Sequence, residues 1–212
     1  MNILEERVRT AVREDFAILP YDSRWPELFR REAAHLIACI PAGLIRRIEH
    51  FGSTAVPGLA AKPIIDMLVE VSSLRAARIE IAPILRAQGY DYFWRPSFGD
   101  DVPPWYAFFI KRDESGIRTH HIHMVTPRRA FREHWERLLF RDYLISHPAI
   151  ARDYERLKIE VASAHPNDRV AYTNGKTAFI QRITAKAKKL PKAVPEPKPR
   201  PFPRLSRLRR DK

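Results

Sequence analysis

Cysteine is almost missing from this 212-residue chain, with Cys39 standing alone. One thiol makes no intramolecular disulfide and no thiolate zinc cage, so the chain reads as reduced and intracellular, with the cytoplasm as its expected compartment. Long apolar runs are missing too. The longest nearly uninterrupted one, Leu36 to Ile45, is far shorter than the roughly 20 residues of a membrane helix. Met1 to Arg13 carries charge throughout, so neither a targeting segment nor a membrane partner is expected. A Gly-x-x-x-x-Gly-Lys-Ser/Thr loop, a serine elbow and a dinucleotide fingerprint are all absent, which removes P-loop kinase, α/β-hydrolase and Rossmann dehydrogenase readings.

What is present suffices for one core. With 45% hydrophobic and 10% aromatic residues, the length supports one principal domain. The formal charge of +13 invites a nucleic-acid reading, but its distribution is uneven. From Lys186 to Lys212 eleven basic residues face only Glu196 and Asp211, a net of +9 that leaves +4 for the body. The same segment holds six of the 18 prolines, a composition that favours extended chain and buries little. The expected organisation is a domain over 1–189 and a disordered basic tail over 190–212, with weak nonspecific nucleic-acid binding expected of the tail.

Phe16 to Tyr21 reads as a short strand. Asp22 or Ser23 then caps a helix with Pro26 in its first turn, which ends near Cys39 and sets Leu28, Leu36 and Ile40 on one face. Leu44 to Phe51 and Ile64 to Val71 read as strands, joined by a connection in which Pro57-Gly58 bars a long helix. Leu74 to Gln88 has helical spacing and stops at Gly89. Trp105 to Ile110 and Ile117 to Val125 alternate across a polar turn and predict an antiparallel hairpin. Three helices follow, over 129–146, 148–164 and 173–188. The order predicts an α+β fold, a mixed β-sheet flanked by helices with helices at the C-terminal end.

The chemistry concentrates in the run from His50 to Asp66, where a strand enters Gly52-Ser53 and a second strand delivers an aspartate. Gly52 permits a tight turn, and Ser53 adds a hydroxyl beside exposed amides, a combination that holds phosphate oxygens. A turn-capping role is the alternative for Ser53. Asp66 is flanked by Ile64, Ile65, Met67 and Leu68 and would be costly if buried alone. It therefore faces a cleft, a ligand or a basic partner such as Lys62.

The stretch GSTAVPGLAAKPIID resembles the signature of the GrpB family, and its Gly-Ser to Asp spacing is similar to that of the polymerase-beta-like nucleotidyltransferase superfamily. The resemblance continues through Tyr21 to Pro26, His121 to Val125, Phe140 to Leu144 with His147-Pro148, and Tyr172 to Phe179, covering 16–185. It implies a nucleotidyltransferase-like fold, in some members joined to a dephospho-CoA kinase. It also implies a nucleotide or phosphorylated small molecule as ligand, with nucleotidyl or phosphoryl transfer assisted by a divalent metal such as magnesium, manganese or zinc.

The chain departs from the superfamily pattern at one position. Active members place two carboxylates two residues apart on the strand, and here the partner of Asp66 is Leu68. Glu70 shares the face but lies about 13 Å along the strand, too far to share an ion. His121 and His123 project from one face of a second strand while His120 points the other way, so Asp66, His121 and His123 form a candidate catalytic and metal-ligating set that His50 could join. The alternative is a polar cleft without metal. Gly52, Ser53, Lys62, Arg141 and Lys176 are the candidate phosphate-binding residues, Lys176 because it sits where the last helix opens, and Arg141 with an aspartate-orienting role as its alternative. Leu68 favours the main rival to a transferase, a non-catalytic module that binds a nucleotide or phosphometabolite. Association with RNA through the tail is the third reading.

Removing residues 191–212 is expected to preserve the melting temperature, abolish most low-salt retention on RNA or DNA, and leave small-nucleotide binding unchanged. Unfolding or loss of nucleotide binding on truncation would contradict this separation.

Overall fold

The computed structural model describes residues 17–97 and 102–190, so the expectations for Phe16 and for the tail over 191–212 lie outside the described residues. Helix α1 spans Trp25–Cys39 and is followed by strand β1, Ile45–Phe51. A single 3-10 turn, Ser53–Ala55, opens the connection to β2, Ile65–Val71. Helix α2 comprises Leu74–Ala76, a π-helical turn over Ala77–Ile81, and Ala82–Ala87. Strands β3 (Asp91–Pro96), β4 (Trp105–Arg112) and β5 (Arg118–Val125) complete the sheet. After a short turn at Arg129–Phe131 come α3 (Arg132–Ser146), α4 (Pro148–Ala164), α5 (Arg169–Asn174) and α6 (Thr177–Lys189).

The strands pair in the order β1-β2-β5-β4-β3. Only the central β2–β5 pair is parallel, the other three being antiparallel, so the sheet is mixed and the α+β expectation holds. Alternation sorts side chains onto two faces. Met67, Val69, Phe109 and Ile122 pack against Leu36 of α1 and Ile81 and Leu85 of α2. The opposite face carries Phe51, Leu68, Phe108 and Val125 beneath Phe131 and Leu138. Each such fully buried side chain contributes about 1.5–3 kcal/mol, so both faces hold the sheet in place. A third cluster joins Val56 and Leu59, in the loop between β1 and β2, to Leu144, Ala151 and Tyr154. That cluster fixes the Gly-Ser loop against the C-terminal helices.

Several local expectations change. The strand at the start shrinks to one bridge between Leu19 and Ala61. Helix α1 has no side-chain cap, because the Asp22 carboxylate instead accepts from the Arg24 N–H at 2.8 Å and pairs with its guanidinium. Within α2 the π turn precedes Pro83, whose ring would clash with the Ile79 carbonyl in a regular helix. The edge strand β3 has no counterpart in the expectations. The last helix is two: Asp168 caps α5 by accepting from the Val170 and Ala171 N–H groups at 2.9 Å, and the chain breaks at Gly175, where a Cβ would lie 2.7 Å from Val161.

On the α1–α2 side, Glu32 is 3% exposed and accepts from the Tyr90 hydroxyl and the Lys111 ammonium. Lys111→Met is expected to cost about 3 kcal/mol in urea unfolding, because it leaves a buried carboxylate with a single donor. A loss below about 1 kcal/mol would show that Glu32 finds another partner.

Candidate functional site

The parallel pairing of β2 and β5 sets Asp66 directly opposite His121. His121 Nδ1 lies 3.1 Å from Asp66 Oδ1, and Nε2 lies 3.2 Å from Arg118 Nη1. A guanidinium only donates, so Nε2 accepts from Arg118 and the ring proton sits on Nδ1, donated to Asp66. Burial lowers the His121 pKa against the opposing pull of Asp66, which keeps the imidazole neutral.

Gly52 joins this group through its missing side chain. Its φ of 75° is left-handed, and a Cβ there would stand 2.4 Å from Asp66 Oδ2. The glycine of the motif therefore allows the turn and leaves room for the aspartate of the motif. Ser53 opens the 3-10 turn beside the buried Tyr154 of α4. Thr54 donates to the Ile64 carbonyl at 3.2 Å, which ties the two ends of the loop together.

Two lysines lie near enough to feel the Asp66 charge. The Lys62 and Lys176 ammonium groups each lie 3.6 Å from the centre of the Tyr172 ring, one from the loop and one from the α5–α6 junction. Lys158, fully buried on α4, donates to the Ala60 carbonyl, while Glu155 accepts from the Ala60 N–H at 2.7 Å. Burial, with the charges of Lys176 and Arg169, lowers Lys62 to about 6. Burial and Lys176 lower Lys158 to about 7, and burial lowers Lys176 to about 8 although Asp66 opposes it. Asp66 is the favourable charge felt by both Lys62 and Lys176, and it cannot offset the cost of burying them.

Gly52, Ser53, Lys62, Asp66, His121 and Lys176 therefore converge as the sequence leads one to expect. His123, His50 and Arg141 do not. His123 lies opposite Leu68, stacks on Tyr106 at 5.6 Å between centroids, and touches the rings of Phe51 and Phe108. Burial foremost, then Arg137, holds its pKa well below the usual value. No group of three or more His, Cys, Asp or Glu is placed to hold a metal ion among the described residues. The expected Asp66, His121 and His123 metal set therefore does not fit, because β5 carries His123 on under an aromatic layer. His50 lies across the sheet, stacked on Phe29 at 4.8 Å and bonded to Thr54 at 3.0 Å. The Arg141 guanidinium is committed to the His50 carbonyl, Glu49 and Asp142 at 2.6, 3.0 and 2.7 Å, so it clamps α3 to β1 rather than awaiting phosphate.

Arg118, Tyr154, Lys158 and Tyr172 are the members that sequence reasoning missed. Tyr154 with Lys158, and Tyr172 with Lys176, recur at a four-residue spacing, which stacks the first pair on one face of α4 while the second pair spans the break at Gly175. That signal was available. Arg118 precedes the alternating part of β5 beside a register shift, and no periodicity marks it.

A family model described as "GrpB protein" matches residues 15–186. A UPF0157 protein of Pseudomonas aeruginosa is 40% identical over 80% of this chain and 66% of its own length. The glutamate-rich protein GrpB of Alkalihalophilus pseudofirmus is 35% identical over 78% of this chain and 92% of its own. The UPF0157 protein YqkA of Bacillus subtilis is 38% identical over 81% of this chain, which spans only 47% of that relative. Among solved structures, the conserved protein GrpB from Enterococcus faecalis superposes with a TM-score of 0.67 at 34% identity, over 81% of this chain and 96% of that one. No helix among the described residues is long and apolar enough to cross a membrane.

The lysines generate a pH signature. Their folded pKa values of about 6 to 8 lie below the unfolded value of about 10.4, so the unfolded chain holds more protons between these limits and stability falls as pH drops through them. The melting temperature is expected to be higher at pH 9 than at pH 7, with saturating pyrophosphate flattening the difference by recharging the lysines. A ligand-free melting temperature that falls from pH 7 to pH 9 would show that the lysines are not held neutral.

Gly52→Ala is expected to destabilise the fold and displace the Asp66 carboxylate, whereas Gly43→Ala, at a position with the same sign of φ and open space, should cost only the turn strain. Equal urea midpoints for the two variants would remove the packing role assigned to Gly52.

Proposed function

The chain belongs to the GrpB family, and from that premise we propose that its cationic recess binds the phosphate chain of a nucleotide or another phosphorylated small molecule. The observation that carries this is the gathering of three lysines, Lys62 and Lys176 near Asp66 and Lys158 near Glu155, with burial holding all three below their ordinary pKa. A phosphate placed there restores the ammonium charges and receives charge-assisted hydrogen bonds from them. The Ser53 hydroxyl and the N–H groups of the turn it opens supply neutral donors beside those cations.

The proposal extends to transfer of a nucleotidyl or phosphoryl group. Lys62 and Lys176 would neutralise charge that develops on the leaving phosphate, and the Asp66–His121 pair would take the acceptor's proton at Nε2. That nitrogen is covered by Arg118 here, so the base becomes available when the guanidinium turns to a ligand phosphate. The residues do not fit a metal ion held by this chain alone, and the chemistry offered is that of the cations and the pair. Leu68, fully buried where a second carboxylate would stand, favours binding without turnover as the second reading.

Titration calorimetry with ATP, CTP, GTP and UTP tests binding, and product analysis on the same mixtures tests turnover. Lys62→Ala and Lys176→Ala are each expected to weaken binding about tenfold, the loss of one charge-assisted contact. Asp66→Asn keeps the size and removes the opposing charge, so anion binding should be retained or tightened while any turnover falls. Parent-like affinity in both lysine variants sinks the recess as the site. Parent-like turnover in Asp66→Asn sinks its role in transfer.

A further inference from the structure

We propose a second anion site, remote from the Asp66 recess, in the groove between the far end of β1–β2 and the start of α3, taking a nucleoside phosphate that is either free or the end of an RNA strand. The groove encloses about 530 Å³, ample for one nucleotide. Its walls differ in character. Arg128 and Arg129 are exposed and make no ion pair with the described residues, while Arg47 and Arg132 are exposed with one carboxylate partner each, Glu49 at 2.7 Å and Glu136 at 3.0 Å. Two guanidiniums that line one groove and make no ion pair among the described residues can donate to the oxygens of a phosphate.

The lining also includes apolar and aromatic side chains. Trp135 is anchored by its Nε1–H, which donates to the Thr126 carbonyl at 3.2 Å, and Leu139 beside it is 38% exposed. The Arg47 guanidinium lies 5.6 Å from the Trp135 ring, so a planar cation and a planar ring already meet at the rim. Glu70 of β2 also lines the groove, half-buried. A carboxylate among arginines disfavours a bare phosphate or an acidic peptide, but it accepts from neighbouring sugar hydroxyls. Phosphate, planar base and hydroxylated sugar together match the three kinds of lining.

The two sites are separate. Glu70 and Asp66 share one face of β2, about 13 Å apart along the strand. Between them that face is covered by Phe131 and Leu138 packed over Leu68 and Val125.

The test uses the full chain carrying Lys176→Ala, which weakens the first site, and titrates AMP, inorganic phosphate and hexauridylate. Arg128→Glu with Arg129→Glu is expected to weaken AMP or hexauridylate binding at least about tenfold, whereas the control pair Arg46→Glu with Arg152→Glu, exposed elsewhere, should change it less than about twofold. Trp135→Leu should weaken AMP and leave inorganic phosphate unaffected. Preference for hexauridylate over AMP identifies the strand end as the source, and preference for AMP identifies the free nucleotide. Equal losses in the two double variants, or no AMP and no hexauridylate binding in the Lys176→Ala chain, would overturn the proposal. Binding of polyglutamate in place of both nucleotide probes would overturn it as well.

Discussion

Burial of three lysines beside two carboxylates, Asp66 and Glu155, sets the terms for the rest of the site. Lys62, Lys158 and Lys176 come from a loop and two different helical regions, so only the completed tertiary structure forces them together. Such a gathering opposes folding electrostatically, and the loop and helices must be held by other means. They are: Val56 and Leu59 insert among Leu144, Ala151 and Tyr154, and Ala60 is gripped by Glu155 and Lys158 through both of its backbone groups. Apolar packing and backbone hydrogen bonds keep the lysines in place.

The neutral tautomer of His121 follows from the same surroundings. Asp66 accepts on one side and Arg118 donates on the other, so the imidazole bridges an anion and a cation without carrying charge itself. Gly52 makes the bridge feasible by leaving room for the Asp66 carboxylate. The long separation in sequence between Gly52, Asp66 and His121 disappears because β1, β2 and β5 are consecutive neighbours in the sheet. A motif that reads as a line is in fact a short row across three strands.

The sequence was most legible where one periodicity governs a whole element. The strand carrying Asp66 follows from its β-branched residues and the hairpin carrying the histidines from alternation, and the structure keeps both. His123 illustrates the limit: alternation correctly places it on the face of His121, but it does not say that Tyr106, Phe51 and Phe108 close over that part of the face. Arg141 failed for a related reason, since its partners Glu49 and His50 lie some ninety residues away and are brought to it by packing of α3 on β1. Strand β3 was overlooked even though Tyr92 and Trp94 pack to one side and Phe93 to the other. The break at Gly175 needed knowledge of Val161, which only the tertiary structure supplies.

The face of the sheet that holds Asp66 carries contrasting groups at its two ends. Near Asp66 the cations are buried lysines with lowered pKa values, while near Glu70 they are exposed arginines, which stay charged whatever their surroundings. The difference is chemical. A desolvated lysine changes its protonation when phosphate arrives and so couples binding to proton uptake, whereas an exposed arginine presents a permanent, directional pair of donors. On that face Phe51, Tyr106 and Phe108 close around His123 and pack in one cluster with Leu68, Phe131 and Leu138, so an apolar layer separates the two groups of cations.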